Sequence, residues 1–421
     1  MADVDTGSQV TSGSSIVDRL RAIGPALLLA AVVVGPGSIT LSTIAGSLYG
    51  YQLLWVPVAA TIFMITYTWM AARIGLVTGQ TIFGATRDKY GSTVAKAGGV
   101  FGFLTVLAFQ SGSNAAIGFA AQALFGTFST VTWAIIFAIL TIAFLWVPRL
   151  YGKVELVVKI VVGIMFVAFV GTLAIVGVDP GGVARGLVPT FPDSASILTA
   201  LGLAATNFSV AAAVYQTHLM REKDWGPERL TDEAGDVLVG IGLLGVIVAV
   251  VLLTSASVIH GQTSPVFSAQ GMASQLKPLV GAGAFYLFTI GFFFATISSL
   301  FVNAVIGGTL LMDGFDRDAS MDSRPVKYWS MTVMVIGLAV ILAAGGGSPI
   351  ELLRLAQAVA VVAFPLLAFL VIGIARDKAL MGAYTNPTWI DVLGVLGYLT
   401  VIGIIVNYIN SVLSYFGYAL F

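Results

Sequence analysis

The chain has 421 residues, 58% of them hydrophobic and only 10% charged, and its formal net charge is zero. Soluble domains carry roughly 25% charged residues, so the composition is that of a polytopic membrane protein, and the zero balance offers no basic surface for nucleic acid. Cysteine is absent, which excludes disulfides and thiolate metal ligands.

Residues 1–15 are polar and rich in Ser, Thr and Gly, the composition of a disordered tail. They carry Asp3 and Asp5 rather than a basic region ahead of an apolar core, so no cleaved signal peptide is expected. The rest, 16–421, reads as a single transmembrane domain. Apolar segments follow at about 24–48, 53–77, 97–125, 130–147, 154–177, 195–219, 235–260, 281–312, 328–345, 350–374 and 389–416. These eleven candidate spans are too long and too uniformly apolar for barrel strands, so an all-helical fold is expected.

Basic residues set the orientation. If the N-terminus faces the cytoplasm, only Arg185, Lys277 and Arg354 fall outside and Lys159 lies within the fifth span; every other Lys and Arg falls inside. The reading is an inner (plasma) membrane protein with a cytoplasmic N-terminus and, after eleven spans, an extracytoplasmic C-terminus.

The first span is interrupted at its centre by Gly35-Pro36-Gly37-Ser38. Proline removes a backbone donor and clashes with the preceding turn, and glycine is a poor helix former. In hydrocarbon, freed backbone groups survive only where they face protein or a wet cavity. A helix broken at mid-depth therefore points to a transporter's substrate site, the alternative being a plain proline kink. The sixth span turns small and polar at matching depth, through Ala204 to Ala213, without a proline. Two matching interruptions suggest a LeuT-type fold: inverted five-helix repeats at about 24–177 and 195–374, helices 1 and 6 broken, and an extra helix at 389–416.

At this point the chain resembles the Nramp family of divalent-metal transporters. The resemblance rests on Ile23-Gly24-Pro25-Ala26, Gly50-Tyr51-Gln52-Leu53-Leu54-Trp55 and Met70 through Arg73 to Gly79. It extends to Ile297-Ser298-Ser299 through Gly307-Gly308 to Met312-Asp313-Gly314-Phe315, and to Leu352 through Gln357 to Val359 with Pro365 beyond. The resemblance implies the LeuT-type fold and metal transport. It also exposes departures. The family carries Asp-Pro-Gly-Asn in span one, where this chain has Gly35 in the aspartate's place and Ser38 in the asparagine's. The family's Met-Pro-His of span six has no counterpart between Asn207 and Ala211, and no acid occurs between Asp88 and Glu155, where the family keeps acids associated with proton transfer.

A divalent ion stripped of water needs anionic oxygens, or soft ligands if it is soft. Neither is present, which leaves three substrates: a magnesium-like ion keeping most of its water, a metal chelated by a small carboxylate such as citrate, or an organic solute without metal. Gly35, Gly37, Ser38 and Thr40 offer half-helix N–H groups and hydroxyls. Asn207 and Ser209 would complete the site or else pack spans together. Gln357 matches a family glutamine that lines the site, and Ser298, Ser299 and Asn303 are further candidates. Gln110, Ser111, Ser113 and Asn114 form a polar patch in span three.

His218 is the candidate for proton coupling in an acid-poor core, against the plainer role of an interfacial histidine. Glu155 and Lys159 stand at pairing distance on one helix face. Asp232, Glu233 and Asp236 read as a solvated helix start, and His260 as an outer-loop residue.

The expectation is a secondary active transporter importing a divalent metal, hydrated or as a carboxylate complex, coupled to protons. A passive channel is the alternative of a different class. No Walker-type loop occurs, no enzyme activity or cofactor is implied, and the partners are the substrate and the lipid bilayer. Nothing in the sequence sets an oligomeric state, and a monomer suffices.

Overall fold

The computed structural model describes residues 35–147, 150–223, 225–262, 267–344 and 348–415, with side chains left out over parts of 148–159 and 404–415. In chain order the helices are α1 (Pro36–Tyr49), α2 (Trp55–Thr78), α3 (Ile82–Tyr90), α4 (Ser92–Phe125), α5 (Thr130–Phe144) and α6 (Leu150–Val176). A short α7 (Pro180–Gly186) leads to α8 (Ser194–Asn207), α9 (Val210–Glu222) and α10 (Leu230–Val258). Two short pieces, α11 (Ala269–Ala273) and α12 (Lys277–Val280), precede α13 (Ala284–Gly314) and α14 (Arg324–Ala343). The chain closes with α15 (Pro349–Ala360), α16 (Phe364–Ala375), α17 (Lys378–Met381) and α18 (Thr388–Tyr415). Among the described residues, seven helical segments are long and apolar enough to cross a membrane, and three shorter apolar helices join them. Each expected span coincides with a helix, although the half of span one before Gly35 lies outside the described residues, as do the tail at 1–15 and Ile23 to Ala26.

Three interruptions shape the bundle. The chain enters α1 through Gly35 in extended conformation, with Pro36 at the first helical position, where its missing N–H costs nothing. The sixth span divides into α8 and α9. Asn207 ends the first half, Phe208 caps it, and the Ser209 hydroxyl accepts the Ala212 N–H at 3.4 Å to start the second. No proline is needed, because a serine cap supplies what the broken ladder loses. The tenth span, expected as one helix, passes through a tighter turn at Val361–Ala363 between α15 and α16. Pro365 explains it, since proline cannot donate to the carbonyl four residues back.

The break in span six is pinned from the apolar side. Phe208 is buried against Tyr67 (ring centroids 5.0 Å apart), Phe63 (5.8 Å) and Phe364 (6.2 Å). The break in span six therefore sends its large side chain into the core. On the other flank, α4 and α13 pack at backbone contact: a Cβ at Gly99 would lie 2.8 Å from the Gly314 Cα. Small residues give membrane helices this close approach, where dispersion and not water drives association.

Arg73, from the motif ending span two, has a structural post. It donates to the carbonyls of Tyr384 and Thr385 and to Asn386 Oδ1, holding α2 to the segment before α18.

Candidate functional site

The two breaks meet at one cavity, which is the candidate site. Gly35, Pro36, Gly37 and Ser38 form one wall, and Thr206, Ser209 and Ala212 the facing one. α4 contributes Val106, Phe109 and Ser113; α13 contributes Ser299, Asn303 and Ile306; α15 contributes Gln357. The space for water centres is about 50 Å³, several times the ~10–15 Å³ that one water needs.

Its polar equipment is neutral. Ser38, Ser113, Thr206, Ser209, Ser299 and Gln357 are all buried. Asn303 Nδ2 donates to Ser113 Oγ at 3.3 Å, tying α13 to α4 across the floor. Gln357 Oε1 is buried without a hydrogen-bond partner, an acceptor held out of water with nothing to accept. Gln357 lies directly beneath Gly37: a Cβ there would come within 2.8 Å of its Nε2 and of Thr206 Cγ2. Glycine at 37 is what lets the amide reach under the helix start. Among the described residues, no group of three or more His, Asp or Glu could hold a metal ion, and no charged side chain lines the cavity.

Helix ends add fixed dipoles. α1 and α9 both begin at the cavity, presenting N-terminal positive ends, while α8 ends there in Asn207 with its negative one. Asn207 itself is fully buried. Its Nδ2 donates to the Leu203 carbonyl at 2.6 Å and its Oδ1 has no partner.

The cavity extends toward one end of the bundle only. Val106 precedes Ser113 on α4, Ile306 follows Asn303 on α13, and Ala212 follows Ser209 on α9, so all three lie toward the end carrying Arg87, His218 and Asp313. On the opposite side hydrogen bonds hold α1 against its neighbours. Thr43 Oγ1 accepts from Gln275 Nε2 at 3.0 Å, the Thr43 carbonyl accepts from Ser255 Oγ at 2.7 Å, and Met272, Gln275 and Leu276 are buried.

Several expected residues take other places. Thr40 is buried on α1 but does not line the cavity, and Ser298 is buried off the lining face, where Ser299 takes its place. In the span-three patch only Ser113 lines the cavity. Gln110 and Asn114 bond to each other at 3.0 Å and to Met334, and the Ser111 hydroxyl donates back to Leu107 O. Thr206 was not expected as a lining residue; its place one turn before the Ser209 cap was the available signal.

His218 stands at the far end of the pathway from Thr43. Its Nε2 lies 3.2 Å from Asp313 Oδ2, and both side chains are buried. Thr81 donates to Asp313 Oδ1 at 3.0 Å, and Arg87 bonds the Asp313 carbonyl at 2.6 Å and Asp316 at 3.0 Å. The cluster joins α3, α9 and α13. The side chains of Glu155 and Lys159 lie outside the described residues. His260 is exposed, its Nδ1 2.9 Å from Ser47 O. Glu233 corrects the reading of a solvated helix start: Asp232 is exposed, but Glu233 is only 1% exposed.

Residues 26–411 match the family model for natural resistance-associated macrophage protein-like (Nramp) proteins. The chain belongs to the Nramp family. Curated relatives of this Nramp protein include the divalent metal cation transporter MntH of Verminephrobacter eiseniae, 25% identical over 89% of this chain and 85% of the relative. The MntH of Aeromonas hydrophila is 27% identical over 92% and 94%. Among solved structures, a mutant of the Eremococcus coleocola manganese transporter superposes with a TM-score of 0.77 at 18% identity, over 97% of this chain and 90% of that one. MhsT in complex with L-phenylalanine follows the same path with a TM-score of 0.62 at 16% identity, over 91% and 97%. The fold is thus the LeuT-type arrangement, with span six broken and the described part of span one starting at Gly35, and the protein is a multi-pass membrane transporter, not an enzyme.

Proposed function

We propose that this Nramp protein is a secondary active carrier importing a magnesium-like divalent cation that keeps most of its water. The observation that carries the reading is a cavity at both helix breaks whose polar groups are hydroxyls, amides and backbone, set among apolar side chains such as Val106, Phe109 and Ile306, with no carboxylate, thioether or imidazole lining it. A divalent ion stripped of its water needs anionic oxygens in its place, or soft ligands if the ion is soft. Magnesium dehydrates reluctantly and usually keeps several waters. Buried acceptors such as Gln357 Oε1 suit the hydrogens of bound water, and the cavity has room for more than one.

In this reading Gly35, Gly37, Ser38, Ser209, Asn303 and Gln357 contact the hydrated ion. Thr40, Asn207 and Ser298 are buried behind them. Residues 24–177 and 195–374 act as inverted repeats rocking about this site. The basic-residue bias orients the open end toward the cytoplasm, with the N-terminus inside, the C-terminus outside and the plasma membrane as location. With no acid in span three, coupling to protons runs through His218 and its partner Asp313.

A second reading has one observation in its favour. Two helix N-termini face the cavity without the family's aspartate to balance them, a setting that suits the carboxylate of a metal–citrate complex. Uptake into proteoliposomes separates the two. Saturable magnesium uptake without citrate supports the hydrated ion, uptake of magnesium only with citrate supports the complex, and uptake of citrate alone overturns both.

A further inference from the structure

The mechanism above leaves one buried acid unused. Glu233 on α10 and Gln216 on α9 are both essentially inaccessible, at 1% and 0% exposure. Gln216 Nε2 donates to Glu233 Oε1 at 2.6 Å. The other oxygen on each side, Glu233 Oε2 and Gln216 Oε1, has no hydrogen-bond partner. Both orphans are acceptors, so rotating either group cannot satisfy them: the pair is short of one hydrogen. Leaving two buried acceptors unmade carries the full desolvation penalty of each, larger for a charged one.

We infer that Glu233 binds a proton in this conformation and forms an acid–amide pair with Gln216. The added hydrogen makes Glu233 Oε2 the donor that Gln216 Oε1 lacks, and a carboxylic acid and a primary amide then exchange two hydrogen bonds. The pair also stays neutral, which removes the cost of a buried carboxylate without a counter-ion.

The neighbouring charges do not replace that proton. Arg229 bonds Asp232 at 2.9 Å on the exposed face. Lys223, after α9, acts on Glu233 only through space and lies over the Trp225 ring at 4.4 Å, while Asp236, one turn on, repels a charge at Glu233. On α2, Arg73 is committed to the carbonyls of Tyr384 and Thr385; the ionisable residues of α6 are Tyr151, Lys153, Glu155 and Lys159.

Position gives the proton a consequence. Ser209, Ala212 and Gln216 fall at i, i+3 and i+7 on α9, so Gln216 continues the stripe that walls the cavity. The pair fastens the half-helix after the break to α10, and loss of the proton places a bare carboxylate at that fastening. Rising pH therefore weakens the conformation seen here.

Infrared spectroscopy of the purified full-length protein tests this without any substrate, and so independently of the transport reading. The difference between wild type and Glu233→Gln at neutral pH should contain the carbonyl stretch of a protonated carboxyl. A difference containing carboxylate bands alone overturns the proposal. Should Glu233→Gln not fold, Gln216→Leu serves: the acid band should move to higher frequency as its amide partner is lost, and an unmoved band overturns the pairing. In vesicles, uptake by the wild type should fall with rising pH by up to about tenfold per unit, the limit for one proton. Glu233→Gln keeps the neutral pair and should flatten that slope; an unchanged slope contradicts the role.

Discussion

Gln357 sits beneath Gly37 so closely that a single added carbon at 37 would lie 2.8 Å from its amide nitrogen. The tenth span and the restart of the first thus share one contact at the cavity, and that contact requires glycine. Gly37→Ala should displace the Gln357 side chain and leave the fold intact. Gly37→Val should abolish binding. Calorimetric titration with magnesium, alongside a melting curve, checks this: binding lost with an unchanged melting temperature is expected.

Ser209 has two duties, and they can be separated. It caps α9 through the Ala212 N–H and lines the cavity. Ser209→Ala should cost about 1 kcal/mol of stability, the usual value of a cap. Ser209→Asp should keep the cap and place a carboxylate at the cavity, so stability holds while affinity for free manganese rises. Melting curves and metal titrations of the two variants read each duty on its own.

The His218–Asp313 contact bears on pH dependence. His218 Nε2 lies 3.2 Å from a buried carboxylate, a contact that links α9 to α13. His218→Ala should reduce acid-stimulated uptake and leave substrate binding largely intact. Asp313→Asn should be the more damaging change, because His218 at 3.2 Å and Arg87 at 3.5 Å both lose the carboxylate they share; breaking a buried pair costs roughly 3–5 kcal/mol. An unchanged pH profile in His218→Ala would reduce the histidine to a structural part.

The breaks were legible in the sequence for different reasons. Gly35-Pro36-Gly37 announces itself, because proline and glycine act on the backbone wherever the helix lies. The break at Phe208-Ser209 showed only as a polar, small-residue patch, and its cap is visible only in three dimensions. Helix phase was the weaker inference. Ser299, Asn303 and Ile306 share a face of α13, and Ser298 is one step out of it; a span apolar on all sides gives no moment from which to fix the rotation. Glu233 was hidden among acidic neighbours. Yet Glu233, Val237, Ile241, Leu244 and Val248 form one buried stripe on α10, and that periodicity was the signal that could have placed it inward.

Restoring the family's acid tests the departure in span one. Gly35→Asp should bring an anionic oxygen to a cavity that has none, raising affinity for bare manganese and cadmium and lowering it for any carboxylate ligand. Calorimetry with free manganese and with citrate reads both directions at once. Unchanged affinities in both titrations would place the ligand away from the α1 break.

The most direct measurement is initial-rate uptake of free magnesium and free manganese by the wild-type protein in proteoliposomes without chelator. Saturable magnesium uptake with little manganese uptake at micromolar concentration is the expected result. Robust saturable manganese uptake at micromolar concentration, with magnesium neither transported nor competing, would contradict a site built for a hydrated ion.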